Sequence, residues 1–167
     1  MFKTLTRILT TIEKRALQFL FLAMTIVVLI QVFNRITVNF PMAWSDELSR
    51  YLFVWMIFIA AAYAAGEKAH IGVTAVIDLL PEKYRRVVEL IIYVLCLAFS
   101  IALIYYTFAI IKVQLRYGQI SPSMRMPMQY AYSGMAVGGL FMATHFVLHI
   151  YNFFAEKKNN TEGVEKA

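Results

Sequence analysis

Trp44-Ser45-Asp46-Glu47-Leu48-Ser49-Arg50-Tyr51-Leu52-Phe53-Val54-Trp55 sets two acids, an arginine and two tryptophans at the mouth of an apolar run with no further charge until Glu67. A helix starting near Ser45 or Asp46 has either residue available to cap its first free N–H groups. Asp46 and Glu47 then fall in the first turn, where the helix dipole favours negative charge. Arg50 follows Asp46 by four residues and Glu47 by three, a spacing that lets both carboxylates reach its guanidinium. Trp44, Glu47, Tyr51, Trp55 and Phe58 recur at steps of three and four and share one face. Two readings are open at this point. The stretch is either a helix end at the lipid–water interface, where tryptophan and charge are common, or an ionic cluster facing protein. Arg50 lies about one turn inside the apolar run, where an unpaired charge costs at least a few kcal/mol, which favours a fixed partner.

The whole chain has the same character. Its 167 residues are 60% hydrophobic and 16% charged, too little charge for a water-soluble domain of this size and the right composition for several membrane spans joined by short loops. The net charge of +6 is no nucleic-acid signature, because the basic residues sit at span ends and form no continuous patch. One cysteine excludes an internal disulfide, and Cys96, in an apolar run, reads as an inert small hydrophobe. The basic, then apolar N-terminus resembles a signal peptide. However, Gln31-Val32-Phe33-Asn34 is a poor cleavage site, so the first apolar segment is expected to be a retained span.

The expected fold is an all-α integral membrane protein with four transmembrane helices and short interfacial amphipathic helices, in one membrane domain over residues 1–155. Residues 1–15 place Phe2, Leu5, Ile8, Leu9 and Ile12 on one face and Lys3, Arg7, Lys14 and Arg15 around the rest, which predicts a helix lying on the membrane surface. Spans are expected at about 16–33, 47–66, 86–111 and 128–154. The second ends in the small residues 60–66, and the fourth contains Gly134-x-x-x-Gly138, both signals of close helix–helix approach in lipid. Residues 67–80, with Lys68, His70 and Asp78 among aliphatics, are too short and polar to cross and should lie in the interface. Pro81 suits the first position of the next helix. Residues 112–127 carry Gly118, Pro122 and Pro127 and predict a turn-rich, non-helical connection. Residues 156–167 read as a disordered tail.

Lysine and arginine set the expected orientation. The N-terminus, the 67–86 connection and the tail hold eleven of them, and the other two connections five. By the positive-inside rule both termini are cytoplasmic, and the Trp44–Arg50 cluster faces outward, toward the periplasm if the membrane is a Gram-negative inner membrane.

A self-sufficient ion-coupled carrier needs polar groups and broken helices near the bilayer midplane. The first three spans carry no ionisable group in their middle thirds apart from tyrosines and Cys96, no proline interrupts any of the four, and no inverted repeat is visible. His145 and His149 lie one turn apart, a spacing that could hold a metal. No acid is expected to accompany them, so interfacial packing near the cytoplasmic end is the expected role, and His70 reads as a solvated loop histidine. Asp46 and Glu47, being adjacent, point in different directions and form no opposed catalytic pair. No phosphate loop or nucleophile–base motif is present. An enzyme is not expected.

The run Trp44-x-Asp46-Glu47-x-x-Arg50-Tyr51-x-Phe53-x-Trp55 resembles the signature of the small membrane subunit of tripartite ATP-independent periplasmic (TRAP) transporters, the DctQ family. The likeness continues through Glu67-Lys68-Ala69-His70-Ile71-Gly72-Val73 and Ser121-Pro122-x-x-x-Met126-Pro127, covering about residues 15–152 in the same four-span order. Near residues 133–139 the family often has a proline where this chain has glycines. The resemblance implies partners: a larger membrane subunit holding the substrate and sodium sites, and a periplasmic binding protein delivering an organic acid. No cofactor or metal is implied for this subunit, which would act as a fixed scaffold. On that footing Trp44, Asp46, Glu47, Arg50, Tyr51, Trp55, His70, Gly134 and Gly138 are the expected structural and interaction residues. Residues 60–66 and 134–139 are the expected surfaces for the large subunit, with Asp46, Glu47 and Arg50 bracing the outer end of span 2. The competing readings are a homo-oligomeric transporter working alone and a membrane assembly factor.

Overall fold

The computed structural model describes residues 2–37, 42–67 and 81–164. They form four helices: α1 Phe2–Thr37, α2 Ala43–Gly66, α3 Glu82–Tyr117 and α4 Gln129–Val164. All four are long and apolar enough to cross a membrane. His70 and the predicted interfacial segment after span 2 lie outside the described residues, apart from Glu67.

Helix α1 corrects one expectation. No break separates a surface segment at 1–15 from a span at 16–33, and the helix is continuous to Thr37. The sequence explains it, since the first forty residues contain neither glycine nor proline, the two residues that end helices most readily. Its threonines do not interrupt it either. Thr10, Thr11, Thr25 and Thr37 each donate a hydroxyl back to the carbonyl four residues earlier, which satisfies the hydroxyl within the helix itself.

Helix α2 starts a turn earlier than a Ser45 or Asp46 cap would allow. Met42 is the N-cap residue, without a side-chain cap. The Ser45 hydroxyl is buried and donates to the Met42 carbonyl at 2.7 Å. Helix α3 starts at Glu82 with Pro81 one position outside, as N-cap, its carbonyl accepting from Tyr84 and Arg85. At its other end Gly118 is left-handed (φ 56°), and the N–H groups of Gly118 and Gln119 return to Leu115 and Gln114, the arrangement that closes helix ends at glycine. Helix α4 runs beyond the expected limit at 154, with helical backbone to Val164 where a disordered tail was expected from 156. No glycine or proline lies between Leu140 and Thr161 to stop it. At 36 residues each, α1, α3 and α4 are about 54 Å long, well over the ~30 Å hydrocarbon layer. Tilted or protruding ends follow.

The helices do not close into a square bundle. They stand in a row, α1–α2–α4–α3, with α1 and α4 touching at only a few places. Helix α4 is central: half of its most apolar stretch is buried, against none of that of α1. Its sequence fits that place, because glycines occupy two of its faces. Gly134 and Gly138 meet Trp55 and Phe58 of α2, while Gly139 meets Leu103 and Ile104 of α3. Ala62, Ala65, Met142 and Phe146 form the core between α2 and α4, with Tyr93, Cys96 and Leu97 of α3 packed against it. The outer helices α1 and α3 present Phe19, Phe21, Leu29, Phe33, Leu95, Phe99 and other large apolar side chains to the surroundings.

Candidate functional site

Glu47 is the centre of the quoted stretch. Its Oε2 accepts the backbone N–H groups of Ser123 at 2.9 Å and Met124 at 3.0 Å, and its Oε1 accepts the Tyr51 hydroxyl one turn on. Charge-assisted bonds of this kind are roughly twice as strong as neutral ones, and two adjacent N–H groups converging on one oxygen make a small anion-binding nest. The sequence around 118–128 folds to present them. Ile120 and Pro127 pair as an isolated bridge, Ser121 N–H donates to Met126 O at 2.8 Å, and Met128 N–H donates to Gln119 O at 3.1 Å. Arg125 takes the left-handed conformation (φ 53°) that turns the chain back, and buried Ser121 accepts from Met124 N–H at 3.2 Å. The turn-rich, non-helical connection expected over residues 112–127 is present only from Gly118 onward, because no glycine or proline stops α3 before that point and residues 112–117 continue the helix. The turn itself is clamped to α2.

The same face of α2 continues the attachment to α4. Tyr51 also donates to the Met128 sulfur at 3.4 Å. Trp55 donates its indole N–H to the Tyr130 carbonyl at 3.0 Å, one of the first carbonyls of the α3–α4 connection into α4. A Cβ placed on Gly134 would lie 2.7 Å from the Trp55 ring, and one on Gly138 would lie 2.6 Å from the Phe58 carbonyl carbon and oxygen. Glu47, Tyr51, Trp55 and Phe58 therefore do share a face, and that face is filled from within the chain.

Two expectations are corrected. The first is the ion pairing of Arg50. Its side chain is exposed and, among the described residues, pairs with neither acid. The acids have other partners: Asp46 accepts the Gln31 side-chain N–H of α1, and Glu47 is held by the 121–124 turn. The second concerns the small-residue surfaces at 60–66 and 134–139. Ala62 and Ala65 are buried, and Gly66, Gly134, Gly138 and Gly139 all abut side chains of this chain. These surfaces join its own helices. Trp44 is exposed.

A second polar cluster, not foreseen in the sequence, lies at the opposite end. Glu13 of α1 and His145 of α4 are both fully buried, and His145 Nε2–H donates to both carboxylate oxygens at 2.9 and 3.1 Å. His145 Nδ1 is buried without a partner among the described residues. His149, one turn on, bonds the Ala65 carbonyl at 2.9 Å and stacks on Tyr93, whose hydroxyl donates to Glu89 at 2.6 Å. All four helices thus meet there through polar contacts. The available signal was the lone acid of the first 45 residues, which no spacing rule connects to His145. From Glu47 to Gly66 is nineteen residues of helix, about 28 Å, so the two clusters are separated by close to the hydrocarbon thickness of a bilayer.

Between them the buried polar side chains of α3, Ser100 and Thr107, each donate a hydroxyl to the carbonyl four residues earlier in the same helix. Among the described residues no three of His, Cys, Asp and Glu come together in a way that could hold a metal ion. What the geometry defines is a multi-pass membrane protein whose polar groups tie its own helices at two rims.

The family model for the DctQ component of tripartite ATP-independent periplasmic transporters matches residues 24–156. The chain belongs to the DctQ family, a family of transporter components and not of enzymes. It is 29% identical over 155 residues to the sialic acid TRAP transporter small permease protein of Vibrio cholerae, covering 90% of this chain and 86% of that one. It is 32% identical over 94 residues to the C4-dicarboxylate TRAP transporter small permease protein of the same organism, covering 56% of this chain and 40% of that one. Similarity to the isethionate TRAP transporter permease protein of Oleidesulfovibrio alaskensis is 27% over 104 residues, covering 62% of this chain and 16% of that protein. The chain therefore spans well under two thirds of the length of these last two relatives.

Proposed function

We propose that the chain is the small, fixed membrane subunit of a TRAP transporter, standing beside a larger subunit that moves the substrate. The observation that carries this reading is the way the polar groups are used. Glu47, Asp46, Glu13 and the Trp55 N–H are bonded within the chain, and the stretch between the two rims is packed with Ile59, Ala62, Met142 and Phe146. A site for a cation or an acid at mid-depth needs ionisable groups there. A flat row of helices with apolar outer faces on α1 and α3 suits a wall that enlarges a neighbour within the bilayer.

Similarity to parts of longer TRAP permease proteins supports a large membrane partner. The relatives named for sialic acid and C4-dicarboxylates support a carboxylate-bearing organic acid as cargo, while the one named for isethionate, a sulfonate, supports only the wider class of organic acids. Delivery is by a periplasmic binding protein, driven by sodium through the large subunit. In this reading the protein sits in a bacterial inner membrane with both termini cytoplasmic and the Glu47 rim toward the periplasm. No cofactor is required of this chain.

The test is reconstitution. Proteoliposomes holding the chain with its large partner, supplied with binding protein, a labelled carboxylate and an inward sodium gradient, should accumulate the label. Neither membrane component alone should do so. Sodium-dependent accumulation by this chain alone would overturn the proposal.

A further inference from the structure

A groove of about 590 Å³ opens between α2 and the start of α4 at the Glu47 rim. Its floor is Val54, Phe58, Met128, Ala131 and Met135, and its mouth carries Asp46, Glu47 and Arg50. The volume is in the range of sites that hold a small ligand. From Arg50 to Phe58 is eight residues of helix, about 12 Å, against roughly 15 Å for one leaflet of a ~30 Å hydrocarbon layer. The groove thus runs from the rim through most of one leaflet.

The charges at the mouth are unevenly used. Glu47 has three donors from its own chain, and Asp46 has Gln31 on one oxygen. Arg50, exposed, is paired with neither. A guanidinium at the head of an apolar channel is a fork suited to phosphate. Asp46, one turn earlier and also exposed, offers a carboxylate to a neighbouring cation.

We propose that this groove binds a single zwitterionic phospholipid, its phosphate on Arg50, its amine beside Asp46 and one acyl chain along Val54, Phe58 and Met135. The occupant is a lipid and not a partner helix because the mouth presents both charges one turn apart, while the channel below is apolar and opens sideways between two membrane helices. The site is independent of the transport reading, since it lies wholly within this chain.

The experiment is native mass spectrometry of the purified full-length chain in detergent, titrated with phosphatidylethanolamine or with a diacylglycerol of the same chains. One phosphatidylethanolamine per chain is expected, at least tenfold tighter than the diacylglycerol. Arg50→Ala should lose that preference with helix content unchanged. Val54→Trp, which fills the channel and leaves Arg50 in place, should lose the lipid as well. Equal binding of the two amphiphiles, or undiminished binding by Arg50→Ala, would overturn the site. In the complex with the large subunit, a photo-crosslinker at position 54 should capture lipid; capture of the large subunit instead would assign the groove to protein and sink the proposal.

Discussion

The Glu47 carboxylate and the backbone N–H of Met124 meet at 3.0 Å across 77 positions of chain. That bond and its neighbour from Ser123 are what hold the 118–128 turn against α2. Removing the acceptor in Glu47→Ala takes the Ser123 N–H from its partner and leaves Met124 N–H and the Tyr51 hydroxyl only their longer contacts to Ser121 and the Met128 sulfur. Limited proteolysis of the purified protein should then cut within 118–128, a segment resistant in the parent, and the thermal midpoint should fall. Glu47→Gln keeps one carbonyl oxygen but no charge, so an intermediate outcome is expected. Unchanged proteolysis in Glu47→Ala would show the turn to be self-supporting.

Arg50 makes the opposite case. Its position inside the apolar run led to the expectation of a fixed ionic partner, whereas the side chain is exposed and the two acids bond elsewhere. Exposed substitutions away from a packed feature usually change stability by no more than about 0.5 kcal/mol. Arg50→Ala should therefore leave the unfolding midpoint of the isolated chain in place, as read by circular dichroism on heating in detergent. A large drop would restore the bracing role.

How far the sequence could be read follows from what each signal specifies. The four apolar runs are local features and each lies in one of the four helices, although the ends differ, with α1 beginning at Phe2, α3 continuing to Tyr117 and α4 to Val164. The common face of Glu47, Tyr51, Trp55 and Phe58 follows from helical periodicity alone. Its partner does not. Periodicity shows that Trp55 and Gly134 each belong to a contact surface without showing that they belong to the same one, so the sequence alone leaves Gly134 on a surface for the large subunit and Trp55 without a named partner. The Glu13–His145 bond joins residues 132 positions apart, and neither carries a motif. The uninterrupted α1 was missed for a different reason. The change from amphipathic to fully apolar near residue 15 reads as a boundary, yet a change in composition ends no helix unless a residue there breaks the backbone.

Gly138 and Gly139 are neighbours with different tolerances. A Cβ on Gly138 would lie 2.6 Å from main-chain atoms of Phe58, which can yield only if α2 and α4 separate. On Gly139 the nearest atom is Cγ1 of Ile104 at 3.0 Å, a side-chain atom that has to give by only a few tenths of an ångström. Gly138→Ala should destabilise by about 1–3 kcal/mol, the usual range for overpacking. Gly139→Ala should be near neutral, because the small local clash is set against the better helix propensity of alanine. Chemical unfolding of both variants in mixed micelles measures the difference, and equal costs would contradict the close approach at Gly138.

Glu13 and His145 are hydrogen-bonded to each other, and both are fully buried. Breaking a buried pair from one side leaves the other group without compensation, at roughly 3–5 kcal/mol, whereas replacing both by apolar residues is often neutral or better. Glu13→Leu and His145→Leu should each destabilise strongly, and the double variant should recover most of the loss. The coupling energy from that double-mutant cycle isolates the pair from the packing around it. Because α1 touches α4 at few other places but packs extensively against α2, the single variants should loosen the approach of α1 to α4 at this rim while α1 stays on α2. A spin-label pair on α1 and α4 near this rim should then report a longer and broader distance distribution. Additive single effects, with no recovery in the double variant, would mean that the two side chains fill space without holding each other.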